Sequence, residues 1–195
     1  MVVWKEFIAV ETGPSAGQRQ VCIRAGLVSR AARVHHAAPM CREIERKFLV
    51  LSDAWKNEAT SAQLLRQGYL AIDGGSNVRV RTDGGRAWLT IKGRGEGITR
   101  PEFEYEIPAA DAAPLLALCH GRVVEKTRHL VSAGERMWEI DEFLAGNSGL
   151  VVAEIELPEE GATFARPAWL GAEVTRDPRY LNSSLAVHPY ARWPR

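Results

Sequence analysis

The sequence predicts an α+β domain that is mainly β: one antiparallel sheet of eight strands, curled or closed, with short helices packed outside it. Three observations predict it. From Arg42 onward apolar and polar residues alternate, the mark of strands with two unlike faces. Turn-forming clusters of Gly, Asp, Asn and Ser punctuate the alternating runs at short intervals. Eight strands in the roughly 155 residues that follow Met40 are enough for a sheet to curl or close on itself.

In chain order the strands are expected near 42–50, 64–72, 76–83, 86–93, 102–108, 122–132, 135–143 and 149–157. The turns between them are Asp73-Gly74-Gly75-Ser76, Asp83-Gly84-Gly85, Ala133-Gly134 and Gly146-Asn147-Ser148-Gly149. Asp83-Gly84-Gly85 is a good hairpin signal, because glycine accepts the positive φ that a tight turn needs. One helix is expected from Ser52 or Asp53, either of which can cap it, to about Ala59. A second runs from near Asp111 to Cys119 and ends at Gly121, with Pro114 tolerated in its first turn. A third, short one is expected around Glu159 to Phe164. The tail after Pro178 has little pattern.

Composition bounds the function. The 195 residues are 46% hydrophobic and 25% charged, the profile of a globular domain with a real core. The net charge of +1 gives no global positive field to draw in nucleic acid or a membrane surface, so any anion site must be a local cluster. The three cysteines, Cys22, Cys41 and Cys119, lie far apart without metal-site spacing, which suits a reducing cytoplasm. No apolar run approaches the roughly 20 residues of a membrane span. Residues 1–39 differ from the rest: they lack a sustained period, and from Gly17 to Pro39 they carry four arginines and no acid. They are set apart as an N-terminal extension, disordered or not native, with a targeting leader as the other reading. The patterned domain is residues 40–195.

Sorting each strand by face gives an unusual result, since successive side chains point to opposite sides. Glu43, Glu45 and Lys47 share one face opposite Ile44, Phe48 and Val50. Arg79 and Arg81 oppose Val78 and Val80, and Lys92 opposes Leu89 and Ile91. Glu102, Glu104 and Glu106 oppose Phe103, Tyr105 and Ile107. Lys126 and Arg128 share a face, as do Glu139 and Asp141, and Glu154 and Glu156. Two architectures satisfy this alternation: a plain sheet with its charged face in water, or a closed sheet with its charges inside. The second is stable only where opposite charges pair, or where a charged ligand and metal ions occupy the interior. In such a cavity the Lys and Arg doublets suit phosphate oxygens. The clustered carboxylates suit hard divalent cations such as Mg²⁺ or Mn²⁺. Polyphosphate hydrolysis needs both halves.

At these residues the chain resembles a known family. Arg42-Glu43-Ile44-Glu45-Arg46-Lys47-Phe48 is similar to the ExExK signature that opens CYTH domains, also called triphosphate tunnel metalloenzymes. One such motif is a weak signal, but others follow in family order. They are Leu65-Arg66-Gln67-Gly68-Tyr69-Leu70, Val78-Arg79-Val80-Arg81, Leu89-Thr90-Ile91-Lys92, Arg100 to Glu104, Val124 to Arg128, Trp138 to Asp141, and Ala153 to Glu156. Trp169-Leu170-Gly171 and Arg179-Tyr180 to Leu185-Ala186 resemble the closing segments. The likeness spans about residues 41–187 and is nearest to short, single-domain bacterial members.

The resemblance implies a closed antiparallel eight-stranded tunnel barrel with a charged interior. It implies metal-dependent hydrolysis of a small-molecule triphosphate, first among them inorganic tripolyphosphate. Glu43, Glu45, Asp141, Glu154 and Glu156 then form the metal-binding group. Lys47, Arg79, Arg81, Lys92, Lys126 and Arg128 form the phosphate cradle. Glu43, Glu45, Lys47 and Lys92 are the expected catalytic residues, and Glu102 and Glu104 are tunnel acids or ligands of a second metal. Glu139 and Arg94 are weaker candidates. One departure stands out: many members carry a lysine where this chain reads Asn182-Ser183-Ser184-Leu185, leaving Arg176 or Arg179 as substitutes. Alternatives are an adenylate cyclase of the same family, a thiamine-triphosphatase, or a non-catalytic polyphosphate- or nucleotide-binding module. The protein is expected to be cytoplasmic, monomeric or homodimeric, with no nucleic-acid or membrane partner.

Overall fold

The structure, a computed structural model, describes residues 42–194. The expectation for residues 1–39 lies outside them. Nine strands make one sheet: β1 (Arg42–Val50), β2 (Ala59–Asp73), β3 (Ser76–Thr82), β4 (Ala87–Lys92), β5 (Thr99–Ile107), β6 (Val123–Ala133), β7 (Arg136–Phe143), β8 (Val151–Glu156) and β9 (Leu170–Glu173). Their order is β5-β4-β3-β2-β6-β7-β8-β1-β9, and β5 also pairs with β1, so the first eight close into a ring. Every pairing is antiparallel. The closure is short: only Arg42↔Pro101, Glu43↔Arg100 and Ile44↔Thr99 join β1 to β5. Further along the same edge of β1, Phe48 and Val50 pair with β9 instead.

The alternation seen in the sequence becomes an inside and an outside. On the outside, Phe48, Trp138, Ile140, Ala153 and Ile155 form an apolar layer covered by Trp55, Leu157, Trp169 and Leu170. The aromatic rings there meet edge to face, at 5.7 Å for Phe48–Trp138 and for Trp138–Trp169. A second outer patch, Val80 with Cys119 and Leu116, lies under α1 (Ala112–Ala117). Gly68 is required here. A Cβ on it would stand 2.5 Å from the Cys119 sulfur and 3.0 Å from a Leu116 methyl.

A third apolar cluster lies within the ring. Val124, Phe143 and Val152 occupy the same inward face as Lys126, Asp141 and Glu154, and with Tyr69 they receive Leu185 and Ala186. Those two residues belong to α2 (Asn182–Val187), which plugs the interior on an apolar floor.

Several expectations need correction. The helix expected at 159–164 is absent: Pro158 and Gly161 break it, and Ala162 and Phe164 instead pack onto the outer apolar layer. The segment expected to be helical to Ala59 is a 3-10 turn, Asp53–Asn57, because β2 begins at Ala59 and claims the backbone for pairing with β6. β2 therefore starts five residues before the expected 64, and β5 starts at Thr99 rather than 102. The patternless tail holds α2, and β9 had no counterpart in the sequence reading. Among the described residues no helix is long and apolar enough to cross a membrane.

Candidate active site

Closing the ring turns the charged faces of the strands toward one another. Six acids line the resulting cavity: Glu43, Glu45, Glu102, Glu139, Glu154 and Glu156. Six bases face them: Lys47, Arg79, Arg81, Lys92, Arg100 and Arg128. Tyr69, Asn77, Leu181, Asn182 and Ser183 complete the wall. An eight-stranded ring is only wide enough for side chains to fill. The ion pairs leave a free volume of about 40 Å³. Beside it opens a vestibule of about 230 Å³, which shares Glu43, Glu45, Lys47, Arg100 and Leu181 and is otherwise walled by Gly75, Thr175 and the loop from Gly95 to Thr99.

The pairing is dense. Lys92 Nζ donates to both oxygens of Glu43, at 2.7 and 2.8 Å, and Arg100 Nε donates to Glu43 at 2.6 Å. Lys47 bridges Glu154 and Glu45, the latter at 2.7 Å. Arg128 reaches Asp141 at 2.6 and 2.7 Å, Glu154 at 2.8 Å, and Glu139. Glu104 accepts from Thr90 at 2.8 Å and from Arg81 at 3.1 and 3.2 Å, with Arg79 at 3.4 Å.

Two places are nevertheless unbalanced. Strand register sets Glu45 directly opposite Glu156, and Glu139 directly opposite Glu154. Like charges in that position repel. Burial, with Glu154 and Glu43 adding to it against Lys47, pushes the Glu45 carboxyl up to about 7. Glu43 behaves oppositely: against burial, Lys92 and Arg100 hold it well below the usual carboxylate range. The second place is basic. Arg79 and Arg81 share the carboxylate of Glu104 as their nearest acid, and Arg79 also donates to the Thr90 hydroxyl at 3.0 Å. Burial and then Arg79 pull the Arg81 guanidinium down to about 10. The Nε atoms of both arginines are buried without an acceptor. One spot thus favours an added cation and the other an added anion.

The oxygen-only donor set beside the repelled carboxylates suits a hard divalent ion. Among the described residues no three carboxylate, imidazole or thiolate groups stand together as a ready ligand set. The reason is visible in the pairs above: lysine and arginine hold the same oxygens.

Most of the expected site residues meet in this cavity, but not all. Lys126 and Asp141, 1% and 0% exposed, form a buried ion pair with each other outside the lining, beside Arg128. Burial and then Arg128, against Asp141, pull Lys126 down to about 8. Glu104 stands behind Arg79 and Arg81 and holds them. Arg94, Arg176 and Arg179 are exposed and do not line the cavity, and Arg179 is paired with Asp177 at 2.6 Å. Neither Arg176 nor Arg179 therefore stands in the cavity in place of a lysine at Asn182 to Leu185. Arg100 and Tyr69 were missed as site residues. Arg100 lies one residue before the proline of β5, where the register with Glu43 is the signal that finds it.

Comparison with known proteins agrees with this arrangement. The CYTH domain model matches residues 41–190. An inorganic triphosphatase of Acetivibrio thermocellus is 51% identical over 152 residues, covering 77% of this chain and 97% of that protein. An inorganic triphosphatase of Nitrosomonas europaea is 38% identical over 149 residues, covering 74% and 97%. A solved inorganic triphosphatase structure superposes with a TM-score of 0.56 at 35% identity, covering 74% of this chain and 94% of the other.

Proposed function

The chain belongs to the CYTH domain family, and on that premise we propose that it is a metal-dependent inorganic triphosphatase acting on tripolyphosphate. One observation carries the reading: a carboxylate pushed up by burial and by neighbouring carboxylates, and an arginine pair with buried Nε atoms short of acceptors, line the same cavity. A bound metal–triphosphate supplies the missing charge of both signs.

Arg79, Arg81, Lys92, Arg100 and Arg128 take the phosphate oxygens, exchanging carboxylate partners for phosphate partners of greater charge. Lys47 stands between the two halves and bridges Glu45 and Glu154, offsetting their mutual repulsion. Glu43, Glu45, Glu154 and Glu156 would hold Mg²⁺ or Mn²⁺, which when bound neutralises charge on the phosphates. Asp141, fully buried, fixes Arg128 rather than touching metal. Water attacks a terminal phosphorus, the bridging P–O bond breaks, and pyrophosphate leaves with the bonding electrons. A tunnel carboxylate accepts the proton of that water. Glu102 would take that role: it lies 3.2 Å from Lys92, and burial pushes its carboxyl up.

The test is phosphate release from tripolyphosphate, ATP, thiamine triphosphate and pyrophosphate, each with Mg²⁺ and with Mn²⁺. Tripolyphosphate turned over fastest, and not at all under a chelator, is the expected result. Cyclic AMP formed from ATP would favour the cyclase reading. Binding with no turnover of any of the four would overturn the enzyme.

A further inference from the structure

We propose that Thr175 is a positioning residue for the reaction: its hydroxyl clamps the backbone of Lys47 and so fixes where the Lys47 ammonium stands in the cavity. The proposal rests on the triphosphate reading of the site. β1 changes partner along one edge. Arg42, Glu43 and Ile44 pair with β5, whereas Phe48 and Val50 pair with β9. Among the described residues neither of those strands pairs with Glu45, Arg46 or Lys47, and the vestibule opens beside this gap. Backbone groups left without a ladder need partners from elsewhere.

Two residues just past β9 supply them. The Val174 N–H donates to the Lys47 carbonyl at 2.9 Å. The Lys47 N–H donates to the Thr175 hydroxyl oxygen at 3.0 Å, so a side chain does the work of a ladder carbonyl. The hydroxyl gives its own proton to Glu173 at 2.7 Å, with the Lys47 carbonyl a longer acceptor at 3.4 Å. Its donor and acceptor capacity are thus both in use, which fixes its orientation. Glu173 is anchored in turn by Arg46, whose Nε donates to it at 2.8 Å and whose terminal nitrogen reaches its other oxygen. The Arg46 guanidinium lies 5.3 Å from the Phe164 ring centre and 5.8 Å from that of Phe48, against the outer apolar layer. Arg46 and Lys47 point to opposite faces of β1. One short segment, Glu173 to Thr175, therefore grips both, the first by its side chain outside the ring and the second by its backbone.

The grip matters because of what Lys47 carries. Its ammonium bridges Glu45 and Glu154, the carboxylates at the metal-binding half of the cavity. A small shift of its backbone moves that ammonium relative to both. A strand paired across the gap would hold the same backbone but would seal the wall. The hydroxyl holds Lys47 while Thr175 itself lines the open vestibule. Valine would fill the same space, and it would leave the Lys47 N–H without its acceptor.

The test compares Thr175→Val, which removes the hydroxyl, with Thr175→Ser, which keeps it. KM and kcat are read by phosphate release from tripolyphosphate with Mn²⁺, at a temperature where circular dichroism shows each variant folded. Thr175→Val should lower kcat about ten- to hundred-fold, the cost of a misplaced group in a preorganised site. KM should stay within about threefold, and Thr175→Ser should return kcat to within about threefold of the parent. A residue that served folding alone would lower the melting temperature and leave kcat where it was. The second readout needs no turnover: the NMR resonances of the Lys47 amide and ammonium should both move in Thr175→Val and return in Thr175→Ser. A kcat in Thr175→Val within twofold of the parent overturns the proposal, and so does a loss that Thr175→Ser does not restore. Should Thr175→Val not fold, Thr175→Ala takes its place under the same two criteria. A parent that releases no phosphate would overturn the triphosphatase reading instead, and the Lys47 resonances then decide the clamp: an ammonium unmoved in Thr175→Val overturns it.

Discussion

Replacing Glu45 with Gln should make the metal-free protein more stable at pH 8 while destroying its activity. Glu45 is opposite Glu156 in register and is pushed up to about 7 by burial and by Glu154 and Glu43. Its ordinary value is 4.5. An acid raised on folding opposes folding wherever it is ionised in the native state. The penalty is absent below pH 4.5, grows from there to about pH 7, and is complete above it. Its size is about 3 kcal/mol as an order of magnitude. Gln keeps an acceptor for Lys47 and carries no charge. At about 2–4 °C per kcal/mol for a domain of this size, Glu45→Gln should melt roughly 6–12 °C above the parent at pH 8 in EDTA. The difference should vanish near pH 4.5. Adding Mn²⁺ should raise the parent's melting temperature more than the variant's. Tripolyphosphate hydrolysis should fall by orders of magnitude. A variant that melts below the parent at pH 8, or a gap that does not shrink on acidification, would refute the reasoning.

Three further outcomes follow from particular contacts. Arg128→Met leaves Glu139, Asp141 and Glu154 without their shared partner, which by the usual cost of breaking a buried ion pair is about 3–5 kcal/mol; thermal melting should drop accordingly. Gly68→Ala drives a methyl to 2.5 Å from the Cys119 sulfur, so it should cost about 1–3 kcal/mol by urea denaturation, and Cys119→Ala in the same chain should recover part of that. Leu185→Ala empties a fully buried place in the floor, which should cost about 2–5 kcal/mol, read by the same denaturation.

Much of the site was legible because strand alternation is a strict code. Glu43, Glu45 and Lys47 had to share a face, and so did Arg79 and Arg81, whatever the partners of their strands. What alternation does not contain is register. Nothing in the order of residues sets Glu45 opposite Glu156, or Arg100 opposite Glu43, and those two juxtapositions give the cavity its repulsion and its pairing. Tyr69 lines the cavity but carries no charge, so the charge pattern that marks the site does not single it out. Lys126 and Asp141 carried the right charge on the right face but lie behind the lining, where Lys126 stands over the Phe143 ring of the apolar floor and Asp141 pairs with Lys126 and Arg128. Segments without alternation were the least legible. Ala59 to Gln63 have no apolar period and are strand only because β6 pairs with them. The plug helix spans six residues, too few to show a period, and is held by Leu185 and Ala186 on the floor.

The most direct test of the two-signed cavity is a crystal structure grown with tripolyphosphate and Mn²⁺, with the ion located by its anomalous signal. Phosphates bonded to Arg79, Arg81 and Lys92, with manganese among Glu43, Glu45, Glu154 and Glu156, is the predicted result. Phosphate and ion on the outer surface, with the Lys92–Glu43 and Lys47–Glu154 pairs intact inside, would contradict it.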